Sequence, residues 1–315
     1  MKSLSSSRFQ LSFARFGVSS PFDPTFAFVT SSLPFLHPSA LAAVRSLFAV
    51  YALITAVVIL GFEASVYGGG PSYLSYFTNL SYIGLCAYFC ASGVQTIAFA
   101  RALKGLRDVQ DDAQAIGTRR KESGRVERRR IAYPLQTWPR VFQLMHVLLY
   151  TSIVIYPFLV TIVFWALLSS SPSLASGYQA WTTVSRHILN AVFALFEVTC
   201  TNVPPPPWSH IVPLAIPLAC YLGVAYITHA TQGIYTYSFL DPGKHPGLIA
   251  VYVCGITLGY CIIFAIVKGV ITLRCRLSGR YWGSREDEER QGEPEALNEW
   301  EEVESPQQQS SAPRL

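Results

Sequence analysis

The stretch YLSYFTNLSYIGLCAYFCASGVQTIAFARA, Tyr73 to Ala102, carries a single charge, Arg101, near its end. An α-helix crosses a bilayer with about 20 predominantly apolar residues, because it bonds its own backbone polar groups internally. This run is long enough, yet Thr78 and Asn79 stand side by side near its start. Five more such runs recur, at roughly 40–62, 141–168, 181–203, 208–231 and 247–273. The composition agrees: 51% of residues are apolar, 14% are charged and the mean hydropathy is +0.32. Soluble chains average about 25% charged residues. The expected fold is therefore all-α, a polytopic membrane protein with a bundle of about six transmembrane helices. The segment TNVPPPPW (201–208) joins the fourth and fifth runs closely, so one span plus a re-entrant piece is the alternative. Two full spans are expected, since about 23 residues lie on each side of the prolines.

The charges orient the bundle. Ten Lys or Arg fall between Lys104 and Arg140, whereas the segments after the first, third and fifth runs hold one Lys between them. By the positive-inside rule the termini and the 104–140 loop are cytoplasmic, which an even number of spans satisfies. The net charge of +5 is accordingly a topology signal and not a nucleic-acid footprint. The division expected is a disordered N-terminal tail over 1–39, a membrane domain over 40–275 and a disordered acidic, Gln- and Ser-rich tail over 276–315. Seven cysteines show no CxxC spacing, so neither a disulfide framework nor a zinc site is indicated. Cofactors and metals are expected to be absent.

Ionisable groups inside a membrane are costly and mark function by default. His146, His187, Glu197, His229 and Lys268 stand out within the runs. Lys268, close to the last run's cytoplasmic end, is expected to snorkel. In the fourth run Thr183, His187, Asn190, Ala194, Glu197 and Thr201 recur at spacings of 4, 3, 4, 3 and 4. That period puts them on one helical face, with Val184, Ile188, Leu189, Val192, Phe193, Leu195 and Phe196 on the others, suited to lipid or apolar neighbours. Depth can then be compared. Thr78 lies roughly 8 Å and His187 roughly 9 Å below the same non-cytoplasmic surface, at 1.5 Å per residue. His229, near the end of the fifth run, returns to that level. Glu197 lies roughly 15 Å deeper than His187 and is expected to bind an unnamed partner in the cytoplasmic half. A threonine and a histidine at one depth fit a nucleophile and its base. A helix-packing seam of hydrogen bonds explains the same spacing equally well.

The order of F-T-N-L, a long basic loop, H-I-L-N-A-V-F-A-L-F-E, a proline turn and G-I-Y-T-Y-S-F-L-D resembles the androgen-induced protein family. The resemblance covers about residues 45–275. It implies a multi-span hydrolase of fatty acid esters of hydroxy fatty acids that uses a Thr nucleophile and a His. Carried onto this chain, it implies Thr78 and His187 as catalytic residues and matches Glu197 to the family's acid. It also implies that Gly233–Leu240 corresponds to an aromatic-rich segment near the site. Animal members have Asn-His-Gly-Met before the histidine where this chain has Thr-Val-Ser-Arg, which puts substrate choice in doubt and singles out Arg186. Asn79, Arg186, Glu197, His229 and Tyr235 are expected to support the site.

The partner so implied is a lipid ester drawn from the bilayer, with no nucleic acid. The chain is expected in the ER or another endomembrane, with the plasma membrane as the alternative. Two rival classes remain at this stage. One is a transporter or receptor-like protein whose polar seam lines a path with Glu197 as an ion or proton site. The other is a bis-His haem protein using His187 and His229.

Overall fold

A computed structural model describes residues 13–66, 68–115, 132–169, 174–243 and 247–292. The chain falls into two units, Met1–Arg274 and Cys275–Leu315. Among the described residues the secondary structure is helical, with one isolated bridge between Ser31 and Thr201. Helix α1 runs over Pro38–Ser65 and α2 over Phe77–Ala115. The third stretch is α3, Arg140–Ile153, then α4, Tyr156–Val163, ending in a π turn at Phe164–Leu168. The fourth is α5, Gly177–Val184, a π turn at Ser185–Leu189, then α6, Asn190–Cys200. Helix α7 covers Ile211–Gln232 and α8 Leu248–Gly292.

Among the described residues five helical stretches are long and apolar enough to cross a membrane: Pro38–Ser65, Phe77–Val109, Arg140–Leu168, Trp208–Gln232 and Leu248–Gly279. The α5–α6 stretch is as long as α7 or longer, but its polar seam dilutes its hydropathy. That seam is real. Thr183, His187, Asn190, Ala194, Glu197 and Thr201 are all buried, whereas Ile188, Val192 and Leu195 are exposed. A π turn spends one extra residue per turn, yet the buried face continues through it. The outer faces are apolar. On α1, Leu47, Val50, Ile54 and Val57 are exposed at helical spacing, and on α8 so are Val251, Leu258, Ile262 and Ile266. Exposed apolar area of this extent marks a surface covered by something other than water, and here the helix lengths suit lipid.

The expected disordered tail over 1–39 is corrected for residues 13–37, which form a strap folded onto the end of the bundle where α1 begins. Phe13, Val18, Phe22, Phe28 and Val29 are buried, which offsets the entropy of ordering them. The strap also caps α6, whose last carbonyls lack intrahelical donors. Ser32 N–H donates to Cys200 O at 3.2 Å, Ser32 Oγ to Thr199 O at 3.0 Å, and Asn202 N–H returns a bond to Thr30 O at 3.1 Å. Arg274 closes the same end with bonds to Val198 O and Val203 O. Asp23 holds the strap together. It accepts from Ala27 N–H, Phe28 N–H and, at 2.6 Å, from the Tyr133 hydroxyl. Burial nonetheless holds its carboxyl above the usual carboxylate range.

Two other boundaries move. Helix α2 continues to Ala115, well into the expected 104–140 loop, and residues 116–131 lie outside the described ones. The helix of the last run reaches Gly292 where a tail was expected from 276, and 293–315 lie outside the described residues. Lys268 does not simply snorkel: its ammonium donates to Pro206 O at 2.6 Å and sits 5.3 Å from the centre of the Trp208 ring. It ties α8 to the proline run.

Candidate functional site

The seam of the α5–α6 stretch serves two separate places. At its C-terminal end Glu197 meets Arg45 of α1 in a bidentate pair, Nε to Oε1 and Nη2 to Oε2, both at 2.8 Å. Both side chains are fully buried. The remaining capacity is filled as well: Arg45 Nη1 donates to Phe28 O at 2.7 Å and Thr96 Oγ1 at 2.8 Å, and the Tyr88 hydroxyl donates to Glu197 Oε2 at 3.0 Å. His146 packs beside this cluster against Phe28 and Tyr88. A buried charge pair is tolerated when its geometry is good and its other bonding capacity is met; this one satisfies both conditions. Glu197 is therefore sealed, so the ion or proton site of the transporter reading has no exposed carboxylate. Sequence reasoning missed Arg45, although a lone cation inside the first apolar run, near its start, was itself the signal.

Near the N-terminal end of the seam, but lined by none of its residues, the structure is open. A cavity of about 350 Å³ lies among α2, α4, α7, α8 and the segment after α7. Its walls include Phe77, Thr78, Phe164, Tyr221, Tyr237 and Tyr260, and the remaining lining is almost wholly aliphatic. Thr78 reaches it from the first turn of α2. The segment after α7 forms one wall because Gly233 ends that helix in the left-handed region at φ 74°, its N–H bonding to His229 O at 2.9 Å. Glycine takes that conformation without the Cβ penalty. The chain then doubles back, bringing Tyr237 and Phe239 against the cavity. Tyr237 lines the cavity together with Thr78, and its ring packs against that of Tyr221 with centroids 6.0 Å apart. Tyr221 in turn donates to Ser75 O at 2.9 Å. Sequence reasoning placed the segment Gly233–Leu240 near the site but singled out Tyr235 instead of Tyr237.

His187 stands at the centre of the Ser185–Leu189 π turn, and π turns gather at functional sites. Its ring stacks on Phe164, the cavity wall, with centroids 3.7 Å apart and planes 11° from parallel. The ring is 5% exposed and its Nδ1 has no hydrogen-bond partner. Orphaned buried polar atoms are rare and call for an explanation. Among the described residues no hydrogen bond joins His187 to Thr78. Their neighbours are joined: Arg186 Nη1 donates to Asn79 Oδ1 at 3.0 Å, and Asn79 Nδ2 donates to Tyr73 O at 2.8 Å. Asn79 thereby ties the start of α2 to the π turn. Arg186, so engaged, is not among the residues lining the cavity.

Helix α7 also reaches the segment just before α2. Thr228 Oγ1 on α7 donates to Ser75 Oγ at 2.8 Å. The next residue, His229, stacks on Tyr235 at 3.8 Å between centroids, and its Nδ1 also lacks a partner. Neither His229 nor Tyr235 lines the cavity. Among the described residues no group of three or more His, Cys, Asp or Glu is placed to hold a metal ion. The two unpartnered histidines have different aromatic stacking partners, Phe164 and Tyr235.

The site can thus present the Thr78 hydroxyl to an apolar chain, with His187 stacked behind Phe164 and not itself lining the cavity. Comparison of the chain with protein-family models, with curated proteins and with solved structures finds no match.

Proposed function

We propose that the chain is a six-span integral membrane hydrolase that cleaves a fatty acid ester of a hydroxy fatty acid, with Thr78 as nucleophile and His187 as its base. The sixth span in this reading is the α5–α6 stretch, with both termini and the basic loop cytoplasmic. The sequence resemblance to the androgen-induced protein family supplies the substrate class. The observation that carries the reading is that the threonine lines a lipid-sized apolar cavity whose wall, Phe164, is backed by a buried histidine with a free ring nitrogen.

The chemistry is acyl transfer. The Thr78 oxygen attacks the ester carbonyl carbon while His187 takes the hydroxyl proton, and the carbonyl electrons move onto oxygen. Collapse breaks the bond to the alkyl oxygen, which leaves as the hydroxy fatty acid carrying the proton from His187. Water, deprotonated by the same imidazole, then attacks the acyl-threonine and releases the second fatty acid. The Tyr237 hydroxyl, on the same cavity wall as Thr78, is the candidate donor to the developing oxyanion. For the proton to pass, the imidazole must turn past Phe164 or reach Thr78 through a water. The cavity also suits an ester chain better than a charged solute. An endomembrane location goes with a lipid substrate.

The test is hydrolysis of a defined fatty acid ester of a hydroxy fatty acid by purified protein and by its Thr78→Ala and His187→Ala variants. The reading expects turnover by the wild type and loss in both variants. Undiminished activity in either would remove that residue from the mechanism.

A further inference from the structure

Away from the cavity, a groove of about 590 Å³ runs between the start of α1 and the late turns of α2. Ala42 and Ala43 of α1 and Ile97 and Ala100 of α2 line its apolar part. Its other part is cationic: Arg101, Lys104 and Arg107 line it, and all three are exposed. Their three-residue spacing puts them along one face of α2. Among the described residues no Asp or Glu lines the groove, and the ion pair found elsewhere, Arg45–Glu197, uses none of these cations. The transition from apolar to cationic falls where α2 runs out of its apolar stretch and α1 begins.

A pocket apolar along one half and cationic along the other matches an amphiphile with a negative head. A free anion would use only the cationic half and leave the apolar one unmatched. We propose that this groove binds an anionic phospholipid, its phosphate held by Arg101, Lys104 and Arg107 and the start of its acyl chains against Ala43 and Ile97. Clustered cations beside a membrane helix attract anionic lipid headgroups more strongly than isolated ones. The site is separate from the Thr78 cavity and does not depend on the hydrolase reading.

The experiment is native mass spectrometry of the full-length protein in detergent, titrated with dioleoyl phosphatidic acid or dioleoyl phosphatidylcholine. Phosphatidic acid is expected to bind at least about tenfold more tightly than phosphatidylcholine. Two variants separate the groove from general surface charge. Combining Arg101→Gln, Lys104→Gln and Arg107→Gln removes the cations; Ala43→Trp fills the groove and keeps every charge. Both are expected to weaken phosphatidic acid binding by about tenfold, and excess inorganic phosphate is expected not to displace the lipid. Equal binding of the two lipids would overturn the proposal. So would full binding by Ala43→Trp, which would assign the attraction to diffuse charge, or displacement by phosphate alone, which would make the groove a site for a free anion.

Discussion

Glu197 and His187 share one buried face of one helical stretch, yet their surroundings are opposite. Around Glu197 every donor and acceptor is met, by Arg45, Tyr88, Thr96 and the strap carbonyl of Phe28. Around His187 an apolar ring covers the imidazole and one nitrogen is left without a partner. Position on the helix does not distinguish them; satisfaction does. A saturated buried charge makes the fold specific to one arrangement, whereas an unsatisfied one keeps a cost in hand that chemistry can use.

The contrast breaks most visibly at the ion pair. Arg45→Ala or Glu197→Ala leaves a buried charge unmatched, so each is expected to destabilise the protein by about 3–5 kcal/mol. Thermal unfolding in detergent should show it. The paired replacement Arg45→Met with Glu197→Leu is expected to recover most of that loss, because no orphaned charge remains. If the double variant is as unstable as the singles, the pair is needed for more than charge balance.

His187→Ala should behave in the reverse manner. It removes a ring stacked on Phe164 but strands no charge, so its loss of stability should stay below that of either ion-pair single variant, while ester hydrolysis falls by roughly 10²–10⁴-fold. A large drop in stability with activity retained would turn this end of the seam into ordinary packing.

The sequence made the seam readable and the contrast unreadable. Spacings of 4, 3, 4, 3 and 4 from Thr183 to Thr201 foretold the buried face, and the apolar runs foretold the helices. Charge counts also warned that Glu197 needed a partner. Its identity, Arg45, lies 152 positions away, and no local pattern links the two. The π turn at His187 was equally hidden, since no local residue pattern announces it. Residues 13–37 read as a tail because they are Ser- and Pro-rich; what orders them is the unsatisfied end of α6, which only the fold reveals. Asn79 looked out of place in an apolar helix, and its reason is Arg186 on a facing helix. Thr78 and His187 were expected at one depth; what joins their helices is the Asn79–Arg186 bond, and Phe164 stacks on His187 at the cavity wall.

Tyr237→Phe probes the open end more gently. Losing one neutral hydrogen bond is worth about 1 kcal/mol, so a five- to tenfold fall in kcat is expected with KM nearly unchanged. A rise in KM alone would make the phenol a binding group.

The smallest effect concerns the strap that covers the saturated end. Burial raises the Asp23 carboxyl above its ordinary value, so the folded strap holds the proton more tightly than the unfolded chain. The stability it contributes is full below the unfolded pKa and is lost as pH rises through the folded one. Hydrogen exchange of residues 13–37 is therefore expected to quicken slightly as pH climbs out of the carboxylate range, and Asp23→Asn, which mimics the neutral acid, should flatten that dependence. A strap that tightens with rising pH would reverse the assignment.

The most direct measurement of the central claim is covalent. Purified protein treated with a fluorophosphonate and digested for peptide mass spectrometry should carry the phosphonyl group on Thr78. The label should vanish in Thr78→Ala and weaken strongly in His187→Ala, with Glu197 and Arg45 intact in both. Labelling on another residue, or none in a protein that hydrolyses the ester, would contradict the assignment of Thr78 as the nucleophile.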